Sequence, residues 1–253
     1  MIMKTFRTYR DGLRISGKIY GEITPGKPKP AFILCHGFMA NSSMCKGYAK
    51  LLAELGYLAF TFDFCGGGLI SASQGKTTDM SVMTEVKDLM SVFSYVSYME
   101  YVDSDRISLL GCSQGGFVCA ICAKQLKEKI RSQILLYPTL CIPADARAGH
   151  MMFARFDPHN IPDTIRCGPM KLGSVYVTDV IDLNPYREIQ GYEGPVLFLQ
   201  GTEDNVVDPG YARRAIREYP DCTYHEIKGA GHMFRGEHDE LAKQYIREFV
   251  STH

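Results

Sequence analysis

Among its 253 residues the chain balances 28 Lys and Arg against 28 Asp and Glu, and 45% of it is hydrophobic. Neutrality without a basic stripe or a Lys/Arg run argues against nucleic acid and anionic membrane as partners. The length suits one α/β domain with an insertion and a sizeable core. In chain order, residues 6–9 and 13–22 flank Asp11-Gly12, a hairpin signal that predicts an antiparallel pair opening a sheet. A proline-punctuated loop (24–30) leads into the continuously apolar run 31–35, as expected of a parallel strand covered on both faces. Asn41-Ser42-Ser43 precedes an amphipathic helix over 44–55, stopped at Gly56. A second buried strand (58–64) ends in Cys65-Gly66-Gly67-Gly68. Thr78-Asp79 is read as the cap of a helix whose stripe is Val82, Val86, Leu89, Phe93 and Val96. Residues 107–110 and 134–137 predict further strands. Between 138 and 195 the periodicity breaks, and seven of the twelve prolines fall there. That stretch reads as a lid inserted into a core of residues 1–137 and 196–253. Strands at 196–200 and 223–227 and a closing helix over 237–250 complete the chain.

Residues 107–117 run Ile-Ser-Leu-Leu-Gly-Cys-Ser-Gln-Gly-Gly-Phe, an apolar strand, a Gly-x-Ser-x-Gly turn and a helix start in unbroken succession. This is the order of a nucleophile elbow. The turn strains its central residue, and only small residues two before and two after it let strand and helix approach so closely. Gly111 and Gly115 fill those places, so Ser113 is the candidate nucleophile, with the Gln114 amide facing a developing oxyanion at the helix N-terminus. A serine needs a base, and the base an orienting acid. Asp204 and His232 each lie just past a strand end, in the chain order Ser, Asp, His. Asp208 begins a turn, and Glu203 is a weaker rival. His225 lies in mid-strand and His238 on the last helix, so neither has the loop placement of a base.

His36-Gly37-Phe38 after the first parallel strand, the elbow, Gly201-Thr202-Glu203-Asp204 and Gly229-Ala230-Gly231-His232 together resemble the α/β-hydrolase serine esterases over nearly the whole chain. The resemblance implies an α/β fold with a mostly parallel central sheet, helices on both faces and an inserted lid. It implies Phe38 as the second oxyanion donor, and His36 is read as a structural anchor of that loop. Where the family carries Gly-His-Gly-x-Ser, this chain has Cys65-Gly66-Gly67-Gly68-Leu69. A closer resemblance, to bacterial cinnamoyl (feruloyl) esterases, rests on Ala144-Asp145-Ala146, on residues 156–163 and on Gly173-Ser174-Val175-Tyr176. It implies that Asp145 and Tyr176 bind the ring hydroxyls of a hydroxycinnamoyl group, with Met152 replacing an assisting glutamine and Met151, Met152, Phe153 and Phe156 available as walls.

The expected function is ester hydrolysis through an acyl-enzyme, with no cofactor or metal and a small-molecule ester as partner. A broad carboxylesterase, an acyl-thioesterase and a non-catalytic binding relic of the fold are the alternatives. A homodimer is left open. The odd count of nine cysteines, most inside apolar runs, fits reduced buried thiols. Cys119 and Cys122 spell CxxC but lie within a helix, which favours core packing over metal or redox chemistry. Residues 1–7 carry no apolar signal region, and no run approaches the roughly 18 apolar residues of a membrane span, so the expectation is a soluble cytoplasmic protein.

Overall fold

The computed structural model describes residues 3–253. Strands β1 (Met3–Arg10) and β2 (Leu13–Tyr20) pair so that Arg10 meets Leu13 across Asp11 and Gly12, which both adopt positive φ, 50° and 80°. Such turns follow the right-handed twist of the strands, which is why an Asp-Gly pair favours them. Next come β3 (Lys29–Cys35), α1 (Lys46–Glu54), β4 (Leu58–Phe62), α2 (Val82–Ser97), β5 (Val102–Cys112), α3 (Gln114–Leu126) and β6 (Gln133–Leu136). The start of α2 corrects the sequence reading. Thr77–Asp79 forms a separate 3-10 turn, and Ser81 is the cap. Its Oγ accepts from the Thr84 amide while Thr84 Oγ1 accepts from the Ser81 amide, a reciprocal box built from two hydroxyls.

Between β6 and β11 lie α4 (Ile142–Arg147), β7 (His150–Met151), β8 (Ala154–Arg155), β9 (Thr164–Cys167), β10 (Met170–Gly173), α5 (Val175–Thr178) and α6 (Pro185–Ile189). Their strands make two separate two-stranded ribbons, β7 with β8 and β9 with β10. Strand β11 (Val196–Gly201), α7 (Pro209–Ala215), β12 (Cys222–Ile227) and α8 (Glu237–Thr252) follow.

One eight-stranded sheet runs in the order β1-β2-β4-β3-β5-β6-β11-β12, antiparallel across its first three strands and parallel beyond. Alternate residues of the parallel strands feed two cores. Ile33, Leu109, Leu135 and Phe198 join α2 and α3 on one face, while Phe32, Leu34, Leu110, Leu136 and Leu199 join α1 and α8 on the other. Each such side chain contributes about 1.5–3 kcal/mol through burial. After β3 the chain turns to β4 on one side and returns to β5 on the other. The carboxyl ends of β3 and β5 therefore bound a crevice at the switch point, where parallel sheets place their ligands. The chain belongs to the mixed class anticipated from sequence, with helices on both faces. Among the described residues, no helix is long and apolar enough to cross a membrane.

Candidate active site

Strand β5 delivers Ser113 into the crevice at φ 55° and ψ −122°. A non-glycine residue in this region costs about 1–3 kcal/mol, so its surroundings must hold it there. They do so through the main chain: the Ser113 amide donates to Leu136 O, and the Ser113 carbonyl accepts from Gly116, Phe117 and Thr139. The flanking glycines are required sterically. A Cβ on Gly111 would stand 2.3 Å from the Gly115 carbonyl oxygen, and one on Gly115 would stand 2.4 Å from that of His36. Cys112, the neighbour of Ser113, is fully buried among the apolar residues of the opposite core.

Strand β11 ends at Gly201, and β12 ends at Ile227, its parallel neighbour. The loops that follow are tied together: Thr202 donates to Ile227 O, Glu203 donates to Ala230 O, and the Gly229 amide donates to Thr202 Oγ1. This brings Asp204 and His232 beside Ser113. Ser113 Oγ lies 2.9 Å from His232 Nε2, and His232 Nδ1 lies 2.9 Å from Asp204 Oδ2. Asp204 Oδ1 accepts from the amides of Val206 and Val207, both at 2.9 Å, while Oδ2 also accepts from Gln200 Nε2 at 2.8 Å. Burial alone would raise this carboxyl. The hydrogen bonds from His232, Val207 and Val206 outweigh that and hold it below the usual carboxylate value. An ionised Asp204 can only accept, so the imidazole hydrogen sits on Nδ1 and Nε2 turns its lone pair to Ser113. The Tyr137 ring packs edge-on against the imidazole, 4.9 Å between centroids, and limits its rotation.

The rival residues stand elsewhere. Asp208 is exposed and caps α7 by accepting from the Gly210 amide, and Glu203 is exposed. His225 stacks on Tyr245 at 3.8 Å, and His238 opens α8 beside Gly229.

On the other side of the crevice, the loop after β3 carries Phe38. Among the described residues, no protein acceptor takes the main-chain amide of Phe38 or of Gln114. His36 is 1% exposed and joins two loops. Its Nε2 accepts from the Phe64 amide at 3.1 Å, so Nδ1 carries the hydrogen and donates to Gly37 O at 2.8 Å. Burial lowers its pKa and keeps it neutral for that purpose. The Cys65-Gly66-Gly67-Gly68 segment packs against the same loop, with Gly68 bridged to Met39 and its Cα so close that a Cβ would stand 2.1 Å from Ala40 O. Gly68 thus lets this segment abut the loop that bears Phe38, while a Cβ on Gly66 would stand 2.3 Å from Lys76 O.

Ser113, Gln114, Phe38 and His232 line a cavity of about 320 Å³ with Asp145, Tyr176, Ile142, Met151 and Met152. The inserted segment therefore brings Asp145 and Tyr176 to the same cavity as the nucleophile. Asp145 is half-buried, 3.4 Å from His150 Nε2, and burial raises its carboxyl pKa. Tyr176 is 1% exposed, and its hydroxyl donates to Gln114 Oε1. Two of the proposed walls are corrected. Phe153 sits 72% exposed at the tip between β7 and β8, and Phe156 packs against the main core, so neither lines the cavity. Sequence reading missed Gln200, Tyr137 and Glu85. Glu85 lies one turn into α2 and accepts from Gln114 Nε2 at 2.8 Å. The only signal for it was an acid on an otherwise apolar helix stripe. All nine cysteines are unpaired and eight are buried, Cys119 and Cys122 among them on α3.

Comparison with known proteins gives a consistent picture. The sequence pattern of the alpha/beta hydrolase fold family matches residues 30–157. A stretch of 88 residues, 34% of this chain, is 33% identical to an uncharacterised 31.7 kDa protein of Escherichia coli, and the match spans only 30% of that protein. A Mycoplasma pneumoniae protein provisionally named esterase/lipase 2 is 24% identical over 90% of this chain and 91% of its own. In three dimensions, Est1E from Butyrivibrio proteoclasticus, solved with ferulic acid bound, is similar with a TM-score of 0.88 at 25% identity over 97% of this chain and 99% of that one.

Proposed function

The chain belongs to the α/β-hydrolase family, and on that premise we propose that it is an esterase, hydrolysing carboxylic esters through Ser113, with His232 as base and Asp204 as the acid that orients it, a reading its likeness to Est1E and to the Mycoplasma pneumoniae protein supports. The observation that carries this is the unbroken hydrogen-bonded series Ser113 Oγ, His232 Nε2, His232 Nδ1, Asp204 Oδ2 at the floor of a cavity. Ser113 Oγ attacks the ester carbonyl as its proton passes to His232 Nε2. The imidazolium formed is stabilised by Asp204, which stays ionised. The oxyanion takes the amides of Phe38 and Gln114, each worth about 3 kcal/mol in the transition state. His232 returns the proton to the leaving alcohol, and water then repeats both steps on the acyl-enzyme.

For the acyl group we infer a hydroxycinnamoyl ester, with residues 138–195 acting as the lid that forms its pocket. A flat ring suits walls of Phe38, Ile142, Met151 and Met152, and Asp145 and Tyr176 supply polar atoms on the same cavity. The ferulic acid held by the similar Est1E supports this choice. A broad carboxylesterase is the second reading, favoured by the apolar side chains of Phe38, Met44, Ile142, Met151, Met152 and Met233 on the cavity wall. Nine unpaired cysteines, eight of them buried, suit a reducing, cytoplasmic setting. Labelling by a fluorophosphonate, lost in Ser113→Ala, tests the nucleophile. A panel of methyl hydroxycinnamates, methyl cinnamate, short acyl esters and thioesters tests the substrate, and equal kcat/KM across the panel would leave the broad carboxylesterase.

A further inference from the structure

Gln114 has two separate attachments. Its main chain is fixed by the elbow, through the bonds made by Ser113 to Leu136, Gly116, Phe117 and Thr139. Those hold the amide of Gln114 without help from its side chain. The side chain is fully buried and clamped at both ends: Nε2 donates to Glu85 Oε2 at 2.8 Å, and Oε1 accepts from the Tyr176 hydroxyl. The Met80 sulfur lies 3.9 Å from the same nitrogen. A thioether has no hydrogen to give, so it too favours the nitrogen on that side. Burial pushes the Glu85 carboxyl well above the usual carboxylate range, and its Oε2 is the acceptor for Gln114.

The consequence is one of direction. A tyrosine has a single hydroxyl hydrogen, and Tyr176 directs it to Gln114. Tyr176 lines the cavity together with Asp145, and with its hydrogen committed to Gln114 any contact its oxygen makes there is as an acceptor. We propose that Glu85 is a positioning residue that, through the carboxamide of Gln114, fixes Tyr176 as a hydrogen-bond acceptor, so that the acyl pocket selects rings with a free hydroxyl over rings in which it is methylated. The inference rests on the hydroxycinnamoyl reading for its ligand class and not for its readout.

Methyl 4-hydroxycinnamate and methyl 4-methoxycinnamate are compared as competitors of p-nitrophenyl acetate turnover, a measurement that works whether or not either is hydrolysed. In the wild type the hydroxy compound should bind about tenfold tighter, the worth of one good hydrogen bond. Glu85→Leu, which offers Gln114 no acceptor, should bring the ratio of inhibition constants near unity. Glu85→Gln, which keeps a carbonyl acceptor for Gln114, should preserve it. Tyr176→Phe, near-isosteric, should also abolish it and decides the matter if Glu85→Leu does not fold. Since each ratio compares two ligands on one enzyme, a general loss of activity cancels. A wild-type ratio of one, or a preference that survives Glu85→Leu or Tyr176→Phe, or one that is lost in Glu85→Gln, overturns the proposal. A binding preference without turnover of either cinnamate would sink the substrate reading while leaving the role of Glu85 standing.

Discussion

Four donors converge on the Asp204 carboxylate, and their arrangement sets what each replacement should cost. Asp204→Asn preserves the shape but can offer His232 Nδ1–H an amide nitrogen, which favours the tautomer with no lone pair toward Ser113. The expected loss is about four orders of magnitude in kcat on a short-chain ester. Asp208→Asn touches only the cap of α7, and its kcat should stay within about twofold, as for other surface changes. Equal losses in the two variants would remove Asp204 from its assigned role. Gln200→Met withdraws one donor from Oδ2 and should lower kcat about tenfold with KM unchanged, because Gln200 does not line the cavity. Gln200 was illegible in the sequence: at the end of an apolar strand it reads as a stray polar residue. Its partner is four positions on, past the turn at Gly201, and only the loop's path brings the two side chains together.

At the scale of elements, α2 links the sheet, the elbow helix and the inserted segment. Its true cap, Ser81, accepts from Thr84 and donates to Asp179 beyond α5. Ser81→Ala should therefore cost about 1–2 kcal/mol, at the upper end for a helix cap, by chemical denaturation. Thr78-Asp79 misled the sequence reading because it carries the same cap chemistry, and only the extended backbone at Met80 shows that the helix has not yet begun. Glu85 on this helix makes stability depend on pH in a defined direction. Below the ordinary glutamate value of 4.5 both folded and unfolded chains hold the proton, and the group contributes nothing. Above it the unfolded chain releases the proton while buried Glu85 keeps it. Stability then falls by up to about 1.4 kcal/mol per pH unit until the native group ionises. Glu85→Gln removes that slope, so its unfolding free energy relative to wild type should climb as pH rises from about 4.5 toward 7. A difference independent of pH would mean that Glu85 is already charged in the native protein.

Over the whole molecule, what could be read from sequence follows how burial writes itself. Strands covered on both faces appear as unbroken apolar runs, as at Ile33 and Leu34 or Leu197 to Leu199, and the elbow announces itself through glycines that nothing larger can replace. The inserted segment could not be read this way, since its helices and strands run from two to six residues and neither period has room to show. That segment is nonetheless no loose flap. Ile142, Met151, Ile165, Met170, Leu172 and Tyr176 join the same buried cluster as α2, α3 and one face of the sheet. Polar ties reinforce the seam: Thr77 Oγ1 donates to Lys171 O, and Lys124 Nζ donates to Arg187 O at 2.7 Å. A segment that shares its core with the sheet cannot unfold without exposing that core, so both should melt together. Calorimetric and van't Hoff enthalpies should agree for a single transition, and amides of β9 and β10 should exchange with free energies near those of β5 and β6. Exchange or proteolytic cleavage of residues 138–195 well ahead of the sheet would instead show a lid that opens on its own, with substrate access governed by that opening rather than by the fixed mouth beside Met152, Val206 and Met233, each about 40% exposed.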